Sequence, residues 1–239
     1  YGEMVQHHGL LNEKRLIPHR LVYGYYPEVV VNQGNEEQIL RQLSNSYLYR
    51  DILRLEQIKK PDNLVRLLQA IAFQVGSQVS YAELSQLCGL DAKTVEKYII
   101  VLEQSYIIFR LGSFSRNLRN ELKFSRKIYF YDNGIRNVLI SNLSQVENRM
   151  DVGALWENFL VSERKKYLHY SMKFPNTWFW RTKQQNEIDY IEEYNGKLSA
   201  YEFKWNADAK FKKPITFKNA YPEAEFQVVH KDNLEDFLL

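Results

Sequence analysis

Apolar residues along the chain follow two rhythms, one helical and one extended. From Asn35, Ile39, Leu40, Leu43, Tyr47, Leu48, Ile52 and Leu55 recur at helical spacing, and "LVRLLQAIAFQVG" carries that rhythm to a stop near Gly76. Ahead of them, "YGYYPEVV" mixes Gly24 and Pro27 with apolar residues, the signature of a turn that docks. Residues 1–76 therefore predict a helical connecting region. Ser80-x-x-Glu83 is a capping-box pattern that opens a short helix over "YAELSQLC". "GLD" at 89–91 is a tight turn, and Asp91 is placed to cap a helix whose apolar stripe is Val95, Tyr98, Ile99 and Leu102. "YIIFRL" and "KIYFYD" then alternate as strands joined by a polar loop.

From residue 149 the order is more regular. "VGALWENFLVSERKKYLHY" predicts a long amphipathic helix, "TWFWRT" a strand, and "NEIDYIEEYNGKLSAYEFKW" two strands folded about Asn195-Gly196. "KKPITFKNAY" follows as a helix or turn and "EFQVVH" as a last strand, giving α-β-β-β-α-β over 149–239. The chain is thus expected to be α+β / α/β, with a helical region (1–76), a second unit over 77–148 and a C-terminal α/β unit. In that second unit, two short helices joined through a Gly-containing turn and followed by a strand pair resemble a winged helix-turn-helix.

Asn-Gly favours a two-residue type I′ turn, because both central residues must take positive φ. Such a turn sets Tyr194 opposite Lys197, and outward from there Ile191 opposite Ala200, Tyr190 opposite Tyr201, Asp189 opposite Glu202 and Glu187 opposite Lys204. Strand alternation then puts Asp189, Glu202, Glu187 and Lys204 on one face, with Ile188, Tyr190, Tyr201 and Phe203 on the other. Two carboxylates facing each other about 5 Å apart repel unless a proton, a Lys or Arg, or a hard divalent cation intervenes. Splaying of both carboxylates into water, with a solvated Glu187–Lys204 pair, is the plainer alternative.

Composition narrows the picture modestly. Hydrophobic content of 45% with 26% charged residues is ordinary for a soluble globular protein. The net charge of +3 is too small to argue for nucleic acid alone, but Arg110, Arg116, Arg119, Lys123, Arg126 and Lys127 are six positive charges in a segment with one negative, Glu121. No apolar run approaches the ~18 residues of a spanning helix, so no membrane is expected, and the single Cys88 fits a reducing, cytoplasmic setting. His7-His8 is a weak metal signal, and no Ser-His-Asp or Cys-His arrangement stands out. The sequence has no G-x-x-x-x-G-K-[ST].

An acidic helix residue, then Asp in one strand and Glu-x-Lys in the next, within α-β-β-β-α-β, resembles the PD-(D/E)xK nuclease superfamily. Asp189 matches its Asp, Glu202 and Lys204 its (D/E)xK pair, and Glu157 its helical acid; Ile188 stands in place of the motif's Pro, which is often absent in the superfamily. More broadly, "YGYYPEVV", "YLYRDI", "KIYFYDNGI", "GALWENFLVSE", "WRTKQQNEIDYI" and "YEFKW" resemble the C-terminal half of a large prokaryotic family of AAA-type ATPases. In that family a P-loop ATPase domain precedes a winged helix and a nuclease-like domain. The resemblance implies that Tyr1 follows an absent ATPase domain, which would be the parent's ATP site.

Two functions are expected from these residues. In the first, Asp189 and Glu202 hold Mg²⁺, Glu157 supplements them, Lys204 orients the nucleophile or offsets phosphate charge, and Arg181 contacts phosphate. Arg116, Arg119, Lys123 and Arg126 would hold DNA by its backbone. In the second, the same surfaces form a non-catalytic module that binds DNA or protein under control of the ATPase domain.

Overall fold

The computed structural model describes residues 1–45, 61–115, 126–182, 184–209 and 211–239. Tyr47, Leu48, Ile52 and Leu55 of the expected helix, and Arg116, Arg119 and Lys123 of the basic segment, lie outside these residues. The N-terminal part is helical as its periodicity predicts: α1 (Gly2–His8), α2 (Leu10–Tyr23), α3 (Pro27–Val31), α4 (Glu36–Leu43) and α5 (Pro61–Phe73). Then come β1 (Gln78–Val79), α6 (Tyr81–Cys88), α7 (Ala92–Gln104), β2 (Ile108–Ser113), β3 (Arg126–Phe130) and α8 (Asn133–Leu139). The caps fall where the side chains dictate. Ser80 Oγ accepts from the Glu83 N–H at 3.4 Å, and Asp91 Oδ1 from the Thr94 N–H at 3.0 Å. Val95, Tyr98, Ile99 and Leu102 are all buried.

The remaining elements are α9 (Val152–Tyr170), β4 (Asn176–Arg181), β5 (Glu187–Tyr194), β6 (Lys197–Phe203), α10 (Ile215–Ala220), β7 (Glu225–Val229) and α11 (Glu235–Leu238). This is the expected α-β-β-β-α-β order with one short helix added. The fold is mixed α+β, with eleven α-helices among the described residues. Asn195 (φ 51°) and Gly196 (φ 78°) both take left-handed backbone, and the β5–β6 ladder runs Tyr194↔Lys197 to Tyr190↔Tyr201 in the register the turn predicts.

All described strands belong to one seven-stranded sheet, ordered β1-β3-β2-β4-β5-β6-β7. β2 runs parallel to β4, with Gly112 beside Trp178, so the sheet passes from the 77–148 segment into the 149–239 segment without a break. One core cluster likewise draws on Ile17 and Leu21, on Phe109 and Tyr129, and on Trp156, Phe159, Tyr190 and Val229.

Two expectations need correction. α9 is not a simple amphipathic helix: Leu155, Trp156, Asn158, Phe159, Leu160, Val161, Ser162 and Glu163 are buried in sequence save for Glu157. It is the central helix, in contact with β3, β6, α2, α8 and α11, so most of its circumference is covered. The faces of β5 also differ from strict alternation. Trp178 pairs with Ile191 but Trp180 with Ile188, so β5 carries one extra residue across from Phe179. Ile188 consequently packs with Ile191, Trp180, Ala200 and Phe217, while Tyr190 packs with Phe159, Phe203 and Phe237 in the other cluster.

The polar side chains of the interior lock these pieces together. Asn158 Oδ1 accepts the Phe130 N–H at 2.7 Å, and Asn158 Nδ2 donates to the Phe130 carbonyl at 3.1 Å and to Asn133 Oδ1 at 2.6 Å. Asn133 donates onward to the Leu155 and Leu21 carbonyls, and Asn137 to those of Leu21 and Val22. Asn158→Ala would strand an N–H and a carbonyl of β3 in a site with no solvent access. Each buried orphan costs about 1–3 kcal/mol, so a loss of about 2–4 kcal/mol is expected in urea unfolding of the variant.

Candidate functional site

The charged groups of the expected site gather around a residue that the sequence placed elsewhere. Lys127, on β3, is 2% exposed and sits between two carboxylates: its Nζ is 2.7 Å from Glu157 Oε1 and 2.5 Å from Glu187 Oε1. Glu157, on α9, also accepts from the Tyr129 hydroxyl at 2.6 Å. Burial by itself would lower the Lys127 pKa, but Glu157, Asp189 and Glu187 hold it above its ordinary value. Gly76, just before β1, has φ 74°, which favours glycine, and an ideal Cβ there would lie 3.2 Å from Glu157 Oε2, so the chain passes close over this carboxylate.

Asp189 and Glu202 stand on the neighbouring strands β5 and β6. Asp189 Oδ2 accepts the Phe203 N–H at 2.8 Å, and so takes up backbone just beyond the last β5–β6 pair. Glu202 is 5% exposed; its Oε1 accepts from Lys204 Nζ at 2.6 Å, whereas its Oε2 is buried with no hydrogen-bond partner. Burial raises the Asp189 pKa well above 3.8, Glu157 and Glu202 add to the rise, and Lys127 and the Phe203 N–H oppose it. The Glu202 pKa is raised too, by burial against the pull of Lys204.

The Glu187–Lys204 cross-strand pair does not form. Glu187 continues the β4–β5 ladder opposite Arg181, and it pairs with Lys127 and, at 3.5 Å, with Arg181 Nε; Lys204 turns to Glu202. Arg181 also donates to the Gln185 side chain, and Arg126 donates to the Tyr81 hydroxyl at 3.1 Å while lying over its ring. Two charges of the expected basic segment are committed internally, because Arg110 is held by both oxygens of Glu103 and Lys127 is buried. Among the described residues, no three His, Cys, Asp or Glu side chains form a group that could hold a metal ion. Sequence reasoning counted Lys127 as wing charge and passed over Tyr129. The available signal was a lysine at an alternating position of an otherwise apolar strand, "KIYFYD".

Comparison with known proteins places these segments. Residues 14–147 match the family described as domain of unknown function DUF8612, more than half of the chain. The chain belongs to this family. Residues 152–237 match the domain of unknown function DUF4143, which occurs in C-terminal regions associated with AAA ATPases, and which contains Glu157, Asp189, Glu202 and Lys204. The uncharacterised proteins Mb2031c of Mycobacterium bovis and Rv2008c of Mycobacterium tuberculosis are each 26% identical over 162 residues, covering 66% of this chain and 36% of the relative. An uncharacterised protein of Haemophilus influenzae is 26% identical over 120 residues, covering 48% of this chain and 30% of its own length. The chain thus spans about a third of the length of these curated relatives. Protein VC1899 from Vibrio cholerae aligns over 87% of this chain and 55% of its own, at 13% identity and a TM-score of 0.25, too low for a fold comparison. No helix among the described residues is long and apolar enough to cross a membrane.

Two predictions follow from the charge arrangement. Lys127→Met would leave Glu157 and Glu187 without their shared ammonium, and breaking such a buried pair typically costs about 3–5 kcal/mol. The deficit is expected at neutral pH and should shrink in acid, as read from urea unfolding at both. For Asp189, the raised native pKa means the folded chain keeps a proton that the unfolded chain releases near 3.8. Its contribution to stability is therefore complete below 3.8 and lost as pH rises through the native value. Asp189→Asn should flatten that fall in unfolding curves recorded with a chelator present.

Proposed function

We propose that the chain is the C-terminal part of an AAA-type ATPase and carries a winged helix followed by a Mg²⁺-dependent nuclease-like domain acting on nucleic acid, most simply DNA. The carrying observation is the pair Asp189 and Glu202 on adjacent strands, both with raised pKa values, and the buried Glu202 Oε2 left without a partner. Mg²⁺ commonly takes one or two carboxylates and completes its shell with water and phosphate, so the absence of a three-carboxylate group among the described residues is compatible with it. When bound, the ion would lower the pKa of a water and offset charge on the phosphodiester.

The chain's own residues would prepare that site. Lys204 holds one oxygen of Glu202 and leaves the other, buried, without a partner. Lys127 and Tyr129 fix Glu157, and Lys127 also ties Glu187 away from the pair. Arg181, exposed in part beside Glu187, would meet a phosphate, and Arg116, Arg119, Lys123 and Arg126 would supply sequence-independent contacts. Support for the winged helix comes from the order α5-β1-α6-α7-β2-β3, with β1 and β2 flanking β3 in an antiparallel set.

The internal commitment of Glu157 and Glu187 to Lys127 favours a second reading, a non-catalytic module that binds DNA or protein for the ATPase domain. Cleavage of supercoiled plasmid with Mg²⁺ or Mn²⁺ separates the two. On the nuclease reading Asp189→Ala and Glu202→Ala abolish nicking, and Lys204→Ala lowers it about 10–100-fold, the usual cost of losing a group that holds a metal ligand. If the parent binds DNA in chelator and none of the three changes alters any activity, the nuclease reading fails.

A further inference from the structure

A cavity lies along the C-terminal half of α9. It has a volume of about 560 Å³, within the usual range for small-ligand pockets. Its walls are β2, the C-terminal half of α9 and the segment through Thr177, and not one of its lining residues is acidic. Four Lys and Arg side chains, together with His169, line it. Arg110 is neutralised by Glu103 and Lys166 by Glu163. Lys165 and Lys173 have no carboxylate within ion-pair distance among the described residues, and each lies against an aromatic ring: Lys165 5.2 Å from the Phe109 centroid and Lys173 5.7 Å from that of Tyr167. The cavity therefore offers two ammonium groups outside any ion pair among the described residues, with Glu103 acting on Lys165 from a greater distance, beside the rings of Tyr106, Phe109 and Tyr131.

The backbone at its rim shows a second independent feature. α7 ends with the Tyr106 N–H on the Glu103 carbonyl and the Ile107 N–H on that of Leu102, and α9 ends with the Met172 N–H on His169 and the Lys173 N–H on Leu168. Both are Schellman closures, in which the residue after the cap takes left-handed backbone and is usually glycine. Here the positions are Tyr106 (φ 54°) and Met172 (φ 53°). Tyr106 is 72% exposed, so its ring contributes little to the core, yet it stands edge-on to Tyr131 at 5.8 Å across the cavity wall. An aromatic side chain held in strained backbone and facing a cavity is a candidate for ligand contact rather than folding.

We propose that this cavity binds a nucleotide unit, its base stacked on Tyr106 and Tyr131 and its phosphate on Lys165 and Lys173. Aromatic faces for the base and unpaired ammonium groups for the backbone are what sequence-tolerant recognition of unpaired nucleotides requires. The unit would be either a free nucleotide or one residue of an unpaired strand. The site stands apart from the carboxylate pair and needs neither metal nor cleavage. It is joined to the Glu157 end of that site through α9, on which Lys165 lies eight residues from Glu157, about 12 Å along the helix, and through Phe109, which stacks on Tyr129 at 5.7 Å.

Fluorescence anisotropy with a fluorescein-labelled oligothymidylate, in chelator, tests the proposal. Binding is expected for the parent with no divalent ion present, so that failure of the nuclease reading leaves this result intact. Lys165→Ala with Lys173→Ala, and separately Tyr106→Gly, should each weaken binding at least about fivefold. Tyr106→Gly relieves the backbone strain, so its unfolding midpoint should equal or exceed the parent's, which separates lost contact from lost fold. Competition by thymidine monophosphate would support a free nucleotide as the occupant, and competition by unlabelled oligonucleotide alone would support a strand. Unchanged binding in both variants, no binding by the parent, or full competition by inorganic phosphate would overturn the proposal.

Discussion

The grip of Asn158 on both backbone groups of Phe130 governs how the molecule is put together. A strand within a sheet has its backbone partners on neighbouring strands, and here a side chain from the central helix supplies one pair of them. Because the amide can meet an N–H and a carbonyl only in one orientation, the rotation and height of α9 over β3 are set together. Glu157, one residue earlier, is thereby brought over Lys127 and Tyr129. Asn133 extends the same lock to α2 and to the carbonyl of Leu155 on α9 itself. Helix, sheet and N-terminal region are thus fixed by directional bonds, with the aromatic core of Trp156, Phe159 and Tyr190 filling the volume between.

The carboxylates are held apart by division among lysines. Lys127 takes Glu157 and Glu187, Lys204 takes one oxygen of Glu202, and Asp189 is left with a backbone N–H. Such a site has two members with ordinary partners and two whose charge is poorly compensated. Burial, which the Phe203 N–H and Lys204 offset only in part, is why Asp189 and Glu202 have elevated pKa values.

Much of this was legible in the residues. Asn195-Gly196 fixed the β5–β6 register because only a narrow set of residues tolerates the required backbone. Ser80, Asp91 and the apolar stripe of α7 likewise act through neighbours in sequence. What escaped depended on distant partners. The extra residue in β5 is defined only against β4, so the placement of Ile188 was misjudged. The Glu187–Lys204 pair failed for the same reason, because Lys127 arrives from a strand some sixty positions earlier. The burial of α9 on nearly every side, despite its charged residues, follows from ion pairs such as that between Arg164 and Glu192, 2.7 Å apart, which no periodicity reveals.

The parallel pairing of β2 with β4 has a consequence for ancestry. Two sequence families meet between residues 147 and 152, yet their strands share hydrogen bonds across that line. Separated there, each half would present a raw sheet edge of the kind that invites unwanted pairing. A gene fusion or exchange at this junction would therefore succeed only between halves whose edge strands match in direction and length. The two families, distinct as sequences, meet in this chain as one sheet.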